Sequence, residues 1–407
     1  MTQQINLISP AFKANPFPVF AMLRAQAPVM EYVWPDGQRR SWLITGFKEA
    51  EAALKDPRIV KTVRSVYSQE ELAEKFPWVL NQTEEQLMLN RHMLNADPPD
   101  HTRLRTLVNL SFTPRLVEQW RSRIQEIADE LLDAVQERGE MDVIDDLAFP
   151  LPIRVISEML GVPDEDRTKF RYWSNIIVEA TGDPQAFERA ADDITAFTRY
   201  VHDLVEKKRN DESDDLLSKL IRAESEGQKL SKHELVAMVF LLIVAGHETT
   251  VNLIGNGIYA LLQHPEQLEL LKQHPEHIKT AVEEFLRYYS PVMTATQRWA
   301  REDMEFGGQQ IKRGDNVLIV LAAANHDEHE FAEPDKLDIT RKENHHLAFG
   351  KGIHYCLGAP LARLEAQIAV NTLLKRMPNV RLAVDPQQVQ WRPGILLLGL
   401  SKLPVTF

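Results

Sequence analysis

The chain has 407 residues, 44% of them hydrophobic and 26% charged, an ordinary globular composition with enough apolar residues for a large buried core. Its formal net charge of −12 argues against nucleic acid and anionic membrane surfaces as main partners. The single cysteine excludes an internal disulfide and fits a reducing compartment.

No Pro/Ser/Gly-rich linker, low-complexity run or internal repeat divides the sequence, so residues 1–407 read as a single domain. The opening MTQQINLISPAFKANPF lacks the basic start and apolar stretch of a signal peptide. The most apolar run, Leu235 to Ala245, is about half of the roughly 20 residues that a membrane span needs. A cytoplasmic protein without a membrane anchor is expected.

In chain order, a short helix is predicted near Phe17–Arg24. Strands follow around Glu31–Trp34 and Ser41–Ile44, separated by the turn Pro35-Asp36-Gly37. From Val63 to Asn95 the pattern is irregular, as in a functional or mobile loop. After Asp97-Pro98-Pro99 the chain turns mainly helical as far as about Tyr289. Thr113-Pro114 starts a helix, and Arg115–Glu137 keeps helical apolar spacing. Ser231 and Glu234 form a capping signature for a helix running to about Leu262, long enough to cross the molecule. Between Thr294 and Leu321 the period becomes that of strands, with turns at Gly307-Gly308 and Arg313-Gly314-Asp315. Glu330–His346 reads as coil, Leu361–Arg376 as helix, and Ile395–Phe407 as two short strands. The fold class is mainly α with a minor β region.

Four clusters carry chemistry. Cys356 lies in Phe349-Gly350-Lys351-Gly352-Ile353-His354-Tyr355-Cys356-Leu357-Gly358-Ala359-Pro360. The glycines allow backbone turns that bring N–H groups to the sulfur, and the helix that follows favours a thiolate at its N-terminus. Such a thiolate is a good soft ligand for iron. Ala245-Gly246-His247-Glu248-Thr249-Thr250 interrupts the apolar helix, where a Thr hydroxyl can bond a carbonyl one turn back and open a groove. An acid beside an alcohol there can relay protons; His247, off that face, has no assigned role. Glu284 and Arg287 share a helical face and can pair. His101 and Arg105, one helical turn apart, could grip a carboxylate, and Arg298 with His354 a second.

Phe349-Gly350-x-Gly352-x-His354-x-Cys356-x-Gly358 resembles the haem-binding signature of the cytochrome P-450 family at every signature position. The likeness extends to Ala245–Thr250, the Glu284–Arg287 pair, Ala323-Ala324-Asn325-x-Asp327 and Phe331-x-x-Pro334, and covers essentially the whole chain. It implies that haem b (iron protoporphyrin IX) sits between the long helix and the cysteine loop, with Cys356 as axial ligand of its iron. His101, Arg105, Arg298 and His354 would hold the propionates, and Phe349, Gly350 and Ala245 would line the haem. Thr249 would steady dioxygen at the iron while Glu248 feeds protons; Glu284 and Arg287 would be structural. At the place where the family often adds a third arginine, this chain has Lys336, which cannot make a bidentate fork.

The implied activity is that of a soluble, monomeric bacterial-type monooxygenase. It would use O2 and NAD(P)H electrons, delivered by a separate ferredoxin or flavodoxin, to hydroxylate or epoxidise a hydrophobic small molecule. Arg103, Arg115, Lys351 and Arg363 are candidates for a basic docking patch for such an acidic carrier. Position relative to the motifs makes Leu241, Val244, Met293, Thr294 and Leu397 candidates for the substrate pocket. Being mostly apolar, they fit a fatty acid, terpenoid, steroid or macrolide. Two alternatives are a peroxide-using peroxygenase and a haem-thiolate sensor or binding protein without turnover. Glu248-Thr249 argues against both, and a helical protein without haem would leave the cysteine motif unexplained.

Overall fold

The computed structural model describes residues 5–81, 90–109, 112–180, 188–209, 215–223 and 230–407. The expected capping box is present at its longest helix. Ser231 Oγ accepts from the Glu234 N–H at 3.2 Å, and the Glu234 carboxylate accepts from the Ser231 N–H at 2.8 Å. From that start the central helix runs Lys232–Gln263. Leu235–Ala245 is only part of its apolar surface: by length and composition the whole helix could cross a bilayer. It serves instead as the core helix, buried almost throughout Leu235–Leu261. Helices Pro150–Leu160, Ala191–Lys208, Ile278–Tyr288 and Ala359–Arg376 pack around it. Gly246 is a point of close approach, since a Cβ there would stand 3.1 Å from Ile156 Cγ1. The helix is continuous through this glycine.

The sheet is minor, as expected. Strands β1 (Val29–Val33), β2 (Arg40–Ile44), β8 (Asn316–Ile319), β5 (Arg298–Ala300) and β3 (Ile59–Val60) stand side by side in that order. β2 and β8 are parallel and the other pairs antiparallel. β6 (Met304–Phe306) and β7 (Gln309–Ile311) form a hairpin on Gly307-Gly308, both at positive φ. A third sheet joins β4 (Glu140–Asp142), β10 (Pro404–Thr406) and β9 (Arg381–Leu382).

Three expectations change. Arg115–Glu137 is two helices, Pro114–Glu118 and Arg121–Gln136, because the chain turns at Gln119-Trp120 while the apolar spacing continues. Val63–Asn95 holds short helices at Gln69–Lys75 and Pro77–Leu80 and a 3-10 turn at Met93–Asn95, while residues 82–89 lie outside the described residues. The end of the chain has one strand, Pro404–Thr406, preceded by isolated bridges pairing Val292 with Leu397 and Trp391 with Leu400.

Candidate active site

The cysteine loop is shaped by its glycines. Gly350 and Gly352 have φ of 68° and 70°, and a Cβ on Gly352 would lie 2.8 Å from the Leu54 carbonyl oxygen. The loop is hung from the core by Asn325, whose Oδ1 accepts from the Leu347 N–H at 2.7 Å. Phe349 O then accepts from the Cys356 N–H at 2.9 Å. The chain enters the cysteine helix, Ala359–Arg376, directly after Gly358. Burial pushes the Cys356 thiol up, outweighing the Gly358 and Ala359 N–H groups and the Arg105 guanidinium, which pull it down.

Above the loop, the central helix is buried from Leu235 to Leu261 except at Val244, Ala245, Gly246 and Thr249. Ala245 is exposed in mid-helix, so an opening lies against this turn. Thr249 Oγ1 donates to Ala245 O at 3.2 Å, the back-bond expected from the sequence. Glu248 does not share that opening. It is buried, its Oε1 accepts from Arg392 Nη1, and its Oε2 lies 3.6 Å from Nε2 of His247. Successive helical residues point about 100° apart, which separates acid from alcohol. His247, set aside on the sequence, is fully buried beside Glu248, with Nδ1 2.8 Å from Ile243 O.

The four expected cationic residues gather at one edge. The rings of His101 and His354 are 4.3 Å apart, and both titrations are coupled to Arg105. Arg298 is buried on β5, its Nε without a hydrogen-bond partner among the described residues. Two members were missed, Lys61 and His92, both buried. Among the described residues none of the six forms an ion pair with a carboxylate. Their titrations record the crowding. Burial, then Lys61, His101, Arg298 and Arg105, drive His354 down to about 2. Burial lowers His92 to about 4 and Arg298 to about 10. A ligand carrying two carboxylates at this edge, with an iron held at Cys356, fits these residues.

Glu284 and Arg287 are both fully buried and pair at 2.7 Å. The third arginine is Arg341, whose Nε donates to Glu284 Oε2 at 3.1 Å. Lys336 contributes its backbone carbonyl to Arg287 Nη2 at 3.1 Å, while its side chain is exposed beside Glu333. Arg363 and Arg103, offered as patch residues, are engaged. Arg363 pairs with Glu283 at 2.6 Å and lies over the Phe349 ring, and Arg103 pairs with Glu234 and Asp100. Arg115 is exposed and Lys351 half-buried.

Of the pocket candidates, Val244 and Leu397 are half-buried, whereas Leu241, Met293 and Thr294 are sealed in packing. Met293 and Thr294 meet the C-terminal stretch through Leu396 O, which accepts both N–H groups, and Thr294 Oγ1 donates to Ile395 O at 3.1 Å.

A family model for cytochrome P-450 matches residues 167–399. The polyketide biosynthesis cytochrome P-450 PksS of Bacillus subtilis is 46% identical over 97% of this chain and 96% of its own length. The monooxygenase PikC of Streptomyces venezuelae is 45% identical over 97% of this chain and 91% of its own. Among solved structures, a myxobacterial P-450 in complex with myristic acid superposes with a TM-score of 0.92 at 42% identity, covering 98% of each chain. The chain belongs to the cytochrome P-450 family, whose members carry haem. Within it, this is a monooxygenase.

Proposed function

We propose that this chain binds haem b through Cys356. We further propose that it uses O2 and electrons from NAD(P)H, relayed by a separate ferredoxin or flavodoxin, to hydroxylate or epoxidise a hydrophobic small molecule. The observation that carries the reading is the largely buried cationic edge, none of whose side chains forms an ion pair among the described residues, set beside the glycine-framed Cys356. His101, Arg105, Arg298 and His354 hold the propionates, and Phe349, Gly350 and Ala245 line the macrocycle. The iron of the bound group supplies the oxygen chemistry. Thr249 offers its hydroxyl at the opening, and Glu248 feeds protons toward it, with Arg392 linking its carboxylate toward solvent. The half-buried, apolar Val244 and Leu397 support a hydrophobic substrate. We favour a long acyl chain or a polyketide product. One structural neighbour was solved with myristic acid and another with an acyl carrier protein bearing hexadec-9Z-enoic acid, and PksS belongs to polyketide biosynthesis. We further propose one monomeric, cytoplasmic domain spanning residues 1–407.

The test is the reduced, CO-bound spectrum. A strongly red-shifted thiolate-type band is expected, abolished in Cys356→Ser; an imidazole-type band in the wild type would sink the proposal. Product formation with NAD(P)H and carrier proteins, but not with hydrogen peroxide alone, separates this reading from a peroxygenase. Absence of turnover with every hydrophobic compound that shifts the spin state would favour a binding protein.

A further inference from the structure

Lys61 directly follows β3, whose residues Ile59 and Val60 pair with Ala300 and Trp299 of β5. Continuing that antiparallel register sets Lys61 opposite Arg298. Like charges directly opposite on neighbouring strands repel, and here both side chains are buried, Lys61 at 6% exposure and Arg298 at 4%. An ammonium out of water without a counter-ion is costly to hold.

The partners around Lys61 are neutral. Nζ donates to Thr296 Oγ1 and, at 3.1 Å, to Gln297 O. An ammonium has three N–H donors, so one remains, and Arg298 Nε beside it has no partner among the described residues. The acid nearest in the electrostatics of both cations is Asp97. Its oxygens are already committed: Oδ1 accepts from the backbone N–H of Lys61 at 2.9 Å and Oδ2 from Ser65 Oγ at 2.7 Å.

We propose that Lys61 is a fifth ligand of the haem carboxylates. Its free N–H and the Arg298 Nε–H would grip one propionate between β3 and β5. Lys61 is then a cofactor-binding residue that the strand register aims at the propionate edge. The proposal rests on the haem reading above, and a wild-type protein without a thiolate-type spectrum would fail that reading before this one is reached.

The experiment uses the holoenzyme and two readouts, haem transfer to excess apomyoglobin and the reduction potential of the bound haem. Removing a charge-assisted hydrogen bond and a positive charge should make Lys61→Met release haem about tenfold faster or more and shift its potential negative. Lys61→Arg, which keeps the charge, should hold both near wild type. Thr296→Val removes only the neutral partner and should leave release within about twofold. If Lys61→Met accumulates too little holoenzyme, Lys61→Gln provides the same two readouts. Release within about twofold and an unchanged potential in a haem-loaded Lys61→Met or Lys61→Gln overturn the proposal. So does a Thr296→Val that matches the Lys61 variant, because Lys61 would then serve only to tie the strands together.

Discussion

Replacing Glu283 by Gln tests whether one ion pair holds the cysteine loop onto the core. Burial alone would push Glu283 above its ordinary value of 4.5, but Arg363 and His346 override this and hold it at about 2. Arg363 donates from Nε and Nη2 at 2.6 and 2.8 Å, and His346 Nε2 lies at 3.1 Å. The same guanidinium covers the Phe349 ring, so the pair ties helix Ile278–Tyr288 to both the cysteine loop and its helix. A downward shift of this size corresponds to about 3 kcal/mol at 1.36 kcal/mol per pKa unit. Both side chains are 28% exposed, so modest screening and the hydrogen bond a Gln can keep reduce the expected loss to about 2 kcal/mol.

The sign follows from linkage. A carboxyl whose folded pKa lies below its unfolded value contributes its full stability above about 4.5, and loses it as pH falls toward about 2. Urea denaturation followed by tryptophan fluorescence, at pH 7, 5 and 3.5, should show Glu283→Gln about 2 kcal/mol less stable at neutral pH. The gap between variant and wild type should be still nearly whole at pH 5 and clearly narrowed at pH 3.5. A gap below about 0.5 kcal/mol at pH 7, or one that does not change with pH, would refute the reasoning.

Arg341→Ala removes a donor from the buried Glu284 and should cost about 2–4 kcal/mol by thermal or urea denaturation, whereas Lys336→Ala should stay within about 0.5 kcal/mol. Equal effects would return the third-arginine role to neither residue. Arg392→Met strands the buried Glu248 carboxylate and should cost about 3 kcal/mol, most of it regained in the Arg392→Met/Glu248→Gln double variant. Additive losses in that cycle would mean that the two side chains do not form a pair. Thr249→Ala should keep its haem spectrum while the share of NAD(P)H electrons reaching product falls about tenfold or more and hydrogen peroxide rises. Unchanged coupling would remove Thr249 from oxygen activation.

What the sequence made legible was local. The capping box, the Gly307-Gly308 hairpin and the glycine frame around Cys356 each specify a conformation within a few residues, and each occurs as read. The third arginine was misplaced because Glu330–His346 has no period to fix where a side chain points. Reading by position along such coil selects Lys336, while the folded chain turns Arg341 inward and presents only the carbonyl of Lys336. Lys61 gave no signal at all. A lysine after a two-residue strand is usually solvated, and only the pairing of β3 with β5, residues more than two hundred positions apart, puts it under cover.

Glu248 and Thr249 show the same limit at the smallest scale. Adjacency in sequence suggested one groove holding acid and alcohol together. On a helix, neighbours diverge by about 100°, so a thrust toward the opening for Thr249 requires Glu248 to point elsewhere. Elsewhere is the C-terminal stretch, where Arg392 meets it, five residues before Leu397 of the candidate pocket. That stretch is itself pinned: Asn256 Nδ2 donates to Leu398 O at 2.8 Å and Lys13 Nζ to Gly394 O at 2.9 Å. The acid and a pocket wall therefore share one anchored segment, a coupling that depends on three regions of chain far apart in sequence and on no motif in any of them.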